Sequence, residues 1–239
     1  MKKILTSLIA IQIVLASCLW AFTISVVDHK WSGAATSTTT AGLNCPGANA
    51  MLGVAVDFSV SAASGAMSDD SGINMYTATT NSNDGGSNNA AVWYSAGATL
   101  DSSVAVTKTG LFPAIFMACA SGVKTSSPLD VQSQLFGNFP FGAGSVTTSE
   151  DGELCIAGLA NSALGVTYSI DSGYTITDQS PLVGGSNEGG AMAYKIITTA
   201  GATNPQWDLS GGGNGTATIA CFKMQASTGA VPRHHGGFF

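Results

Sequence analysis

The chain has 239 residues, of which 45% are hydrophobic and 9% charged, with 30 glycines and a formal net charge of −6. Ordinary globular domains carry about 25% charged residues, so hydroxyls, amides and glycine must cover this surface, a composition that still buries a core. The single arginine, Arg233, and a few scattered lysines cannot neutralise a run of phosphates, which excludes a nucleic-acid partner.

Met1-Lys2-Lys3 is a basic start, and Ile4 to Ala16 is mostly apolar, the pattern of an export signal. Leu15-Ala16-Ser17-Cys18 follows and fits the bacterial lipobox pattern, which makes Cys18 a lipidation candidate. Two alternatives stand beside lipidation: cleavage near Ala21, and retention as an anchor. Ile4 to Val27 carries no charge and is long enough to span a bilayer. Leu19-Trp20-Ala21-Phe22 is apolar, where a lipidated chain ordinarily has a polar tether. Residues 1–21 are therefore assigned as a signal peptide, lipoprotein leader or helical membrane anchor. Residues 22–225 form a single β domain, and 226–239 a flexible Gly/His/aromatic tail. Membrane contact runs through the N-terminus, and the location is extracytoplasmic: envelope, secreted or virion surface.

After residue 30 the apolar period is two rather than 3.6. His29 is placed ahead of the first strands. Leu52, Val54, Val56 and Phe58 alternate with small or polar residues, as do Val104 and Val106, Met192, Tyr194 and Ile196, and Ala217, Ile219 and Cys221. Ala114 to Ala120 and Leu154 to Leu159 are apolar on both faces and read as central strands. Turns separate the runs at Ser68 to Gly72, Asn83 to Gly86, Glu150 to Gly152, Asp171 to Gly173 and Gly211 to Gly215. The stretch 124–145, with Pro128 and Pro140, reads as a long crossover loop. The sum is about twelve strands in a single antiparallel β-sandwich or jelly roll. The two halves share a loose rhythm of strand and turn but no fixed repeat period.

Cys45, Cys119, Cys155 and Cys221 permit two disulfides in any of three pairings. The last three lie in apolar runs, where free cysteine is also a good small core residue. Cys45, in a loop, is the first expected to be bonded. No two lie close enough for a zinc motif.

Chemistry-bearing motifs are few. His234 and His235 sit in the tail, so no histidine looks rigidly held for nucleophilic catalysis. The acidic groups Asp69/Asp70 and Glu150/Asp151/Glu153 fall in Ser- and Gly-rich turns and read as turn formers, with a polysaccharide hydrolase as a distant alternative. Asp69, Asp70 and Asn74 offer hard oxygens and make a weak calcium candidate. Apart from that, no metal and no cofactor are expected. Trp31, Trp93 and Trp207 lie near strand ends or in polar settings and are candidates for a glycan platform. Adjacent Trp93 and Tyr94 face opposite ways, so at least one of that pair is core.

Asp69 to Tyr76 resembles a turn-plus-strand of poorly characterised jelly-roll-like sandwich proteins from phages and environmental bacteria. Val92 to Ala96, Ala114 to Val123 with Ser127 to Asp130, Glu153 to Gly158, Ala193 to Lys195 and Gly215 to Lys223 extend the resemblance over roughly 50–223. It implies a virion structural or surface role and brings no catalytic residue. The expectation is a non-enzymatic surface or virion-associated display protein, able to form a homo-oligomer or particle. A carbohydrate-binding module or adhesin is the alternative.

Overall fold

Strands that are apolar on both faces must be covered on both faces. This fold meets that demand with four layers. The computed structural model describes residues 23–226 apart from 35–36, 40–41, 59–60, 102 and 185–186. The leader with Cys18, its expected helix, and the tail from 227 lie outside the described residues. None of the described residues is helical.

The compact unit runs from Thr23 to Gln225. Its first half contributes β1 (Ser25–Gly33), β2 (Ser37–Thr39), β3 (Ala50–Phe58), β4 (Met67–Asp69), β5 (Thr77–Ala78), β6 (Ser82–Asn83), β7 (Asn88–Ala96), β8 (Val106–Thr109) and β9 (Ala114–Ser121). The second half contributes β10 (Leu129–Asn138), β11 (Phe141–Gly142), β12 (Val146–Thr147), β13 (Glu153–Asn161), β14 (Tyr168–Ile170), β15 (Thr175–Ser180), β16 (Gly189–Ile197), β17 (Ala202–Thr203), β18 (Gln206–Leu209) and β19 (Asn214–Phe222).

Each half builds one principal antiparallel sheet. The first has the order β1-β9-β3-β7-β5, with β6 also on β7; the second has β10-β19-β13-β16-β15. The structure is therefore a sandwich, and within each half the chain passes back and forth between the principal sheet and the short strands that cover it. Leu52, Val54, Val56, Val92 and Phe116 meet Leu154, Ile156, Met192, Ala220 and Phe222 between the sheets. The outer face of the first sheet is covered by β2-β8-β4, burying Met51, Ala55, Trp93 and Val106. The outer face of the second is covered by β11-β18-β14 and β12-β17, burying Cys155, Leu159, Tyr168 and Trp207. Two sequence expectations need correction. His29 lies inside β1, not ahead of the strands. Only 124–128 crosses between sheets; 129–138 is β10, an edge strand whose polar side chains hide it from a search for apolar alternation.

The halves are duplicates in topology, which the loose rhythm of the sequence did not reveal. β1, β9, β3, β7 and β5 correspond in order to β10, β19, β13, β16 and β15. The ladder registers set the equivalences: Leu52 faces Ala118 as Ile156 faces Ala220, so Cys119 matches Cys221 and Tyr94 matches Tyr194. Both edge strands slip register at the same place, between Val26 and Asp28 and between Leu129 and Val131. The covering pairs β4-β8 and β14-β18 match as well. Local sequence carries the trace: Asp70-Ser71-Gly72 with Tyr76-Thr77-Ala78-Thr79-Thr80-Asn81-Ser82, against Asp171-Ser172-Gly173 with Tyr174-Thr175-Ile176-Thr177-Asp178-Gln179-Ser180. Ile73-Asn74-Met75, extra in the first half, breaks any constant spacing.

Equivalent residues also join the halves. His29 Nδ1 meets Asp178 Oδ2 at 2.8 Å, and at the matching place Thr80 N donates to Gln132 Oε1 at 3.1 Å. Val54 and Gly158 are equivalent and face each other. A Cβ on Gly158 would lie 2.5 Å from the Val54 methyls, so the sheets come this close only because that residue is glycine. One disulfide pins each half: Cys45–Cys119 and Cys155–Cys221. The cysteines that also read as free core residues are thus bonded and buried. Two disulfides fit an oxidising, extracytoplasmic compartment.

Candidate functional site

Three places in the fold combine unusual chemistry with accessibility or burial: the edge strand β10, a carboxyl pair at one end of the second sheet, and a polar cluster around Asp57 and Glu188.

β10 pairs with β19 on one side, and β19 is its only sheet neighbour among the described residues. Val131 to Asn138 carries no charge. Leu135 is 51% and Phe136 65% exposed. Successive strand residues point to opposite faces, so the two apolar side chains flank the edge on both sides. The other long outer strand, β1, carries Asp28, His29 and Lys30, charges that discourage edge pairing. Ser82 Oγ donates to the Leu135 carbonyl at 2.8 Å, and Thr80 exchanges hydrogen bonds with the Gln132 side chain, so β10 is held by side-chain ties rather than by a second strand.

At the start of β13, Glu153 is fully buried. Ser149 N and Glu150 N donate to its Oε1 at 3.1 and 2.9 Å. Burial, reinforced by Asp130, pushes its carboxyl up to about 7. Burial also acts on Asp130, but hydrogen bonds from Ser149 and Lys223 outweigh it and hold that carboxyl at about 2. Lys223 Nζ lies 3.0 Å from Asp130. Two carboxyl groups thus stand side by side with opposite shifts, and the one set low is held by the lysine. Both carboxyls accept from the turn at Ser149-Glu150 and so tie it to β10 and β13.

The third place lies where β3 ends. Asp57 and Lys108, both fully buried, pair at 2.7 Å. Burial pushes Asp57 up to about 6 against the pull of Lys108. Glu188, just before β16, is fully buried and lines an apolar pocket with Phe58 and Phe112. Sequence reading passed over these three residues. The available signal was a lone Asp closing an apolar strand run and a lone Lys within an alternating one.

The sequence candidates fare unequally. Trp93 and Trp207 are buried, 5% and 0% exposed, and form the cores beneath the covering layers, so they offer no sugar platform. Trp93 Nε1 donates to the Ala62 carbonyl at 2.9 Å. Trp31 is 43% exposed and stacks on Phe116 at 6.3 Å between centroids. Asp69 is spent inside its own turn. It accepts hydrogen bonds from Ser71, Gly72, Asn74 Nδ2 and Tyr76 OH, which outweigh burial and hold its carboxyl below the usual range. Asn74 turns its amide nitrogen to Asp69 and its oxygen to Thr99 N, and Asp70 N donates to the Ala105 carbonyl. Asp69 and the Asn74 side chain are thus engaged with each other and with their own turn. Among the described residues no group of three or more His, Cys, Asp or Glu could hold a metal.

Fold and site define an all-β, duplicated, disulfide-pinned sandwich. Comparison with known proteins finds no matching family model, no matching curated protein and no matching solved structure.

Proposed function

We propose that this chain is a non-enzymatic surface or virion-associated display protein that self-assembles through β10. The observation that carries this reading is the long, uncharged edge with Leu135 and Phe136 exposed on a scaffold whose other sheet faces are covered. An open edge of this kind is a template for a strand of a second copy. The disulfide in each half supports a role outside the reducing cytosol. The N-terminal segment supplies the membrane contact of a display protein, by lipidation of Cys18 or by retention; intact mass of the mature chain distinguishes the two.

Sedimentation velocity across a wide concentration range tests the assembly. The wild-type chain should form larger species as concentration rises. Phe136→Lys should remain monomeric with an unchanged unfolding midpoint. A wild-type chain that stays monomeric at high concentration refutes the reading. Exposed Trp31 favours carbohydrate binding as a second reading; a glycan array should then show binding that Trp31→Ala removes.

A further inference from the structure

The chain enters and leaves the sandwich at one end. Thr23 and Gln225 both lie against Gly122: a Cβ on Gly122 would sit 2.7 Å from the Thr23 carbonyl oxygen, and Gln225 N donates to the Gly122 carbonyl at 2.7 Å. Asn49 Nδ2 donates to the neighbouring Val123 carbonyl at 2.7 Å, and Ala98 N donates to the Asn49 carbonyl at 3.0 Å. Thr99, next in the chain, exchanges hydrogen bonds with the Asn74 side chain, its N–H donating at 3.0 Å and its carbonyl accepting at 3.1 Å. The turn around Asn74 therefore belongs to the end at which the described chain begins and ends. Exposed Leu111, Leu164 and Val183 lie in loops beyond the opposite ends of β9, β13 and β16. A nine-residue strand such as β13 separates the two ends by about 27 Å.

That turn differs from its counterpart. Between β4 and β5 it carries Ile73-Asn74-Met75, which the connection from β14 to β15 lacks. The insert is held by its polar member. Asn74 donates to Asp69 Oδ2 at 2.7 Å and pairs with Thr99 through both amide atoms, while Asp69 also accepts from Tyr76 OH at 2.9 Å. Its two apolar members are left outside: Ile73 is 66% and Met75 86% exposed, the latter more than any other large hydrophobic among the described residues. Closing the turn does not require them, because the second half closes its own with Tyr174 N donating to the Asp171 carbonyl at 3.3 Å. A surface covered by hydroxyls, amides and glycine thus presents two aliphatic side chains on a hydrogen-bonded mount.

We propose that Ile73 and Met75 dip into the surface of the bilayer that holds the leader, a placement that rests on the N-terminal segment being retained or lipidated. No charged residue separates the two parts: the uncharged run from Ile4 continues to Val27, and β1 opens at Ser25. With Cys18 lipidated, only the apolar residues Leu19 to Phe22 intervene before Thr23. The Thr23 end of the sandwich thus comes to the membrane surface without a polar spacer. Apolar side chains exposed there meet headgroups and acyl carbons rather than water. Two such side chains bind a bilayer weakly on their own, but a tethered loop meets it at a high effective concentration. Asp69 and Asp70 stand beside the insert, and 69–76 holds no cation, so the contact draws on apolar burial and not on anionic headgroups. Leu164 and Val183, also exposed but at the far end, serve as internal controls.

The full chain is reconstituted in phosphatidylcholine vesicles that carry a diazirine-bearing phosphatidylcholine, floated through a density step, irradiated and mapped by peptide mass spectrometry. The chain should float, and lipid adducts at 71–76 should exceed those at 162–165 and at 181–184 by at least about five-fold. High salt should leave that ratio unchanged. The double variant Ile73→Ser/Met75→Ser should still float through its leader and keep its urea midpoint, while losing adducts at 71–76 by at least about five-fold. Leu164→Ser should change neither flotation nor adducts. A chain that fails to float overturns this placement together with the membrane contact of the display reading. A chain that floats with no adducts at 71–76, or with equal adducts at both ends, overturns the placement alone and leaves the display reading standing. Adducts that persist in the double variant, or chemical cross-linking that joins 73–75 to a second copy in place of lipid, overturn it equally.

Discussion

Lys108 uses all three of its ammonium hydrogens: on Asp57 at 2.7 Å, on the Ser64 carbonyl at 3.1 Å and on the Thr109 carbonyl at 3.0 Å. Removing one charge of such a buried pair leaves the other uncompensated, at a cost of about 3–5 kcal/mol, whereas removing both is often nearly neutral. The molecule contains its own control. The equivalents of Asp57 and Lys108 in the second half are Asn161 and Leu209, both buried, with Tyr168 OH donating to Asn161 at 3.1 Å. Asp57→Asn and Lys108→Leu alone should each lower urea-unfolding stability by about 3–5 kcal/mol. The double variant should lie within about 2 kcal/mol of wild type, because it installs the second half's solution in the first. Additive losses in the double variant would show that the pair is not a separable unit.

At the scale of strands, what was legible followed burial. Ala114 to Ala120 and Leu154 to Leu159 were recognisable as interior strands because both faces are apolar, and both have a strand on either side in their sheets. β10 was not legible, because an edge strand half exposed on both faces has no alternation to read. The short covering strands, such as β11 and β17, are two residues long and carry no periodic signal at all. The duplication was masked for a similar reason. Equivalent positions hold unlike residues, Val54 against Gly158 and Asp57 against Asn161, and only the turn that opens β5 and β15 keeps a matching string. The partner of Cys45 was likewise unreadable, since loop and strand are 74 residues apart in sequence and meet only in the fold. That long separation makes the bond matter. In a chain-entropy account, replacing Cys45 and Cys119 by alanine should cost about 4 kcal/mol, and the matching change at Cys155 and Cys221 about the same. Urea unfolding of the two double variants, with and without reductant, measures both.

Across the whole molecule, three buried carboxyls hold their protons more tightly folded than unfolded. Burial pushes Glu188 up to about 8, Glu153 to about 7 and Asp57 to about 6, the last despite Lys108. Unfolded, each would titrate near 4. Between that value and its folded value, each group binds more protons in the native state than in the unfolded one, so stability falls as pH rises. The contribution is complete below about pH 4 and is lost progressively up to about pH 8. Asp130, held at about 2, acts in the other direction: its contribution is present above about pH 4 and is lost on acidification toward 2. The formal net charge of −6 counts these acids as ionised, so the folded chain reaches it only as they lose their protons, which adds self-repulsion at the alkaline end. The molecule should therefore be most stable near pH 4–5 rather than at neutrality, a setting consistent with few lysines to reward ionised carboxyls. The urea midpoint should fall between pH 5 and pH 8. In Glu188→Gln, where the side chain is neutral at every pH, that fall should be smaller by on the order of 3 kcal/mol. Unfolding at pH 5, 6.5 and 8 on both proteins decides it. Stability that rises from pH 5 to 8, or an identical slope in the variant, would mean that Glu188 is ionised and satisfied in the native state. The buried carboxyl at the end of the sandwich would then be an ordinary structural acid.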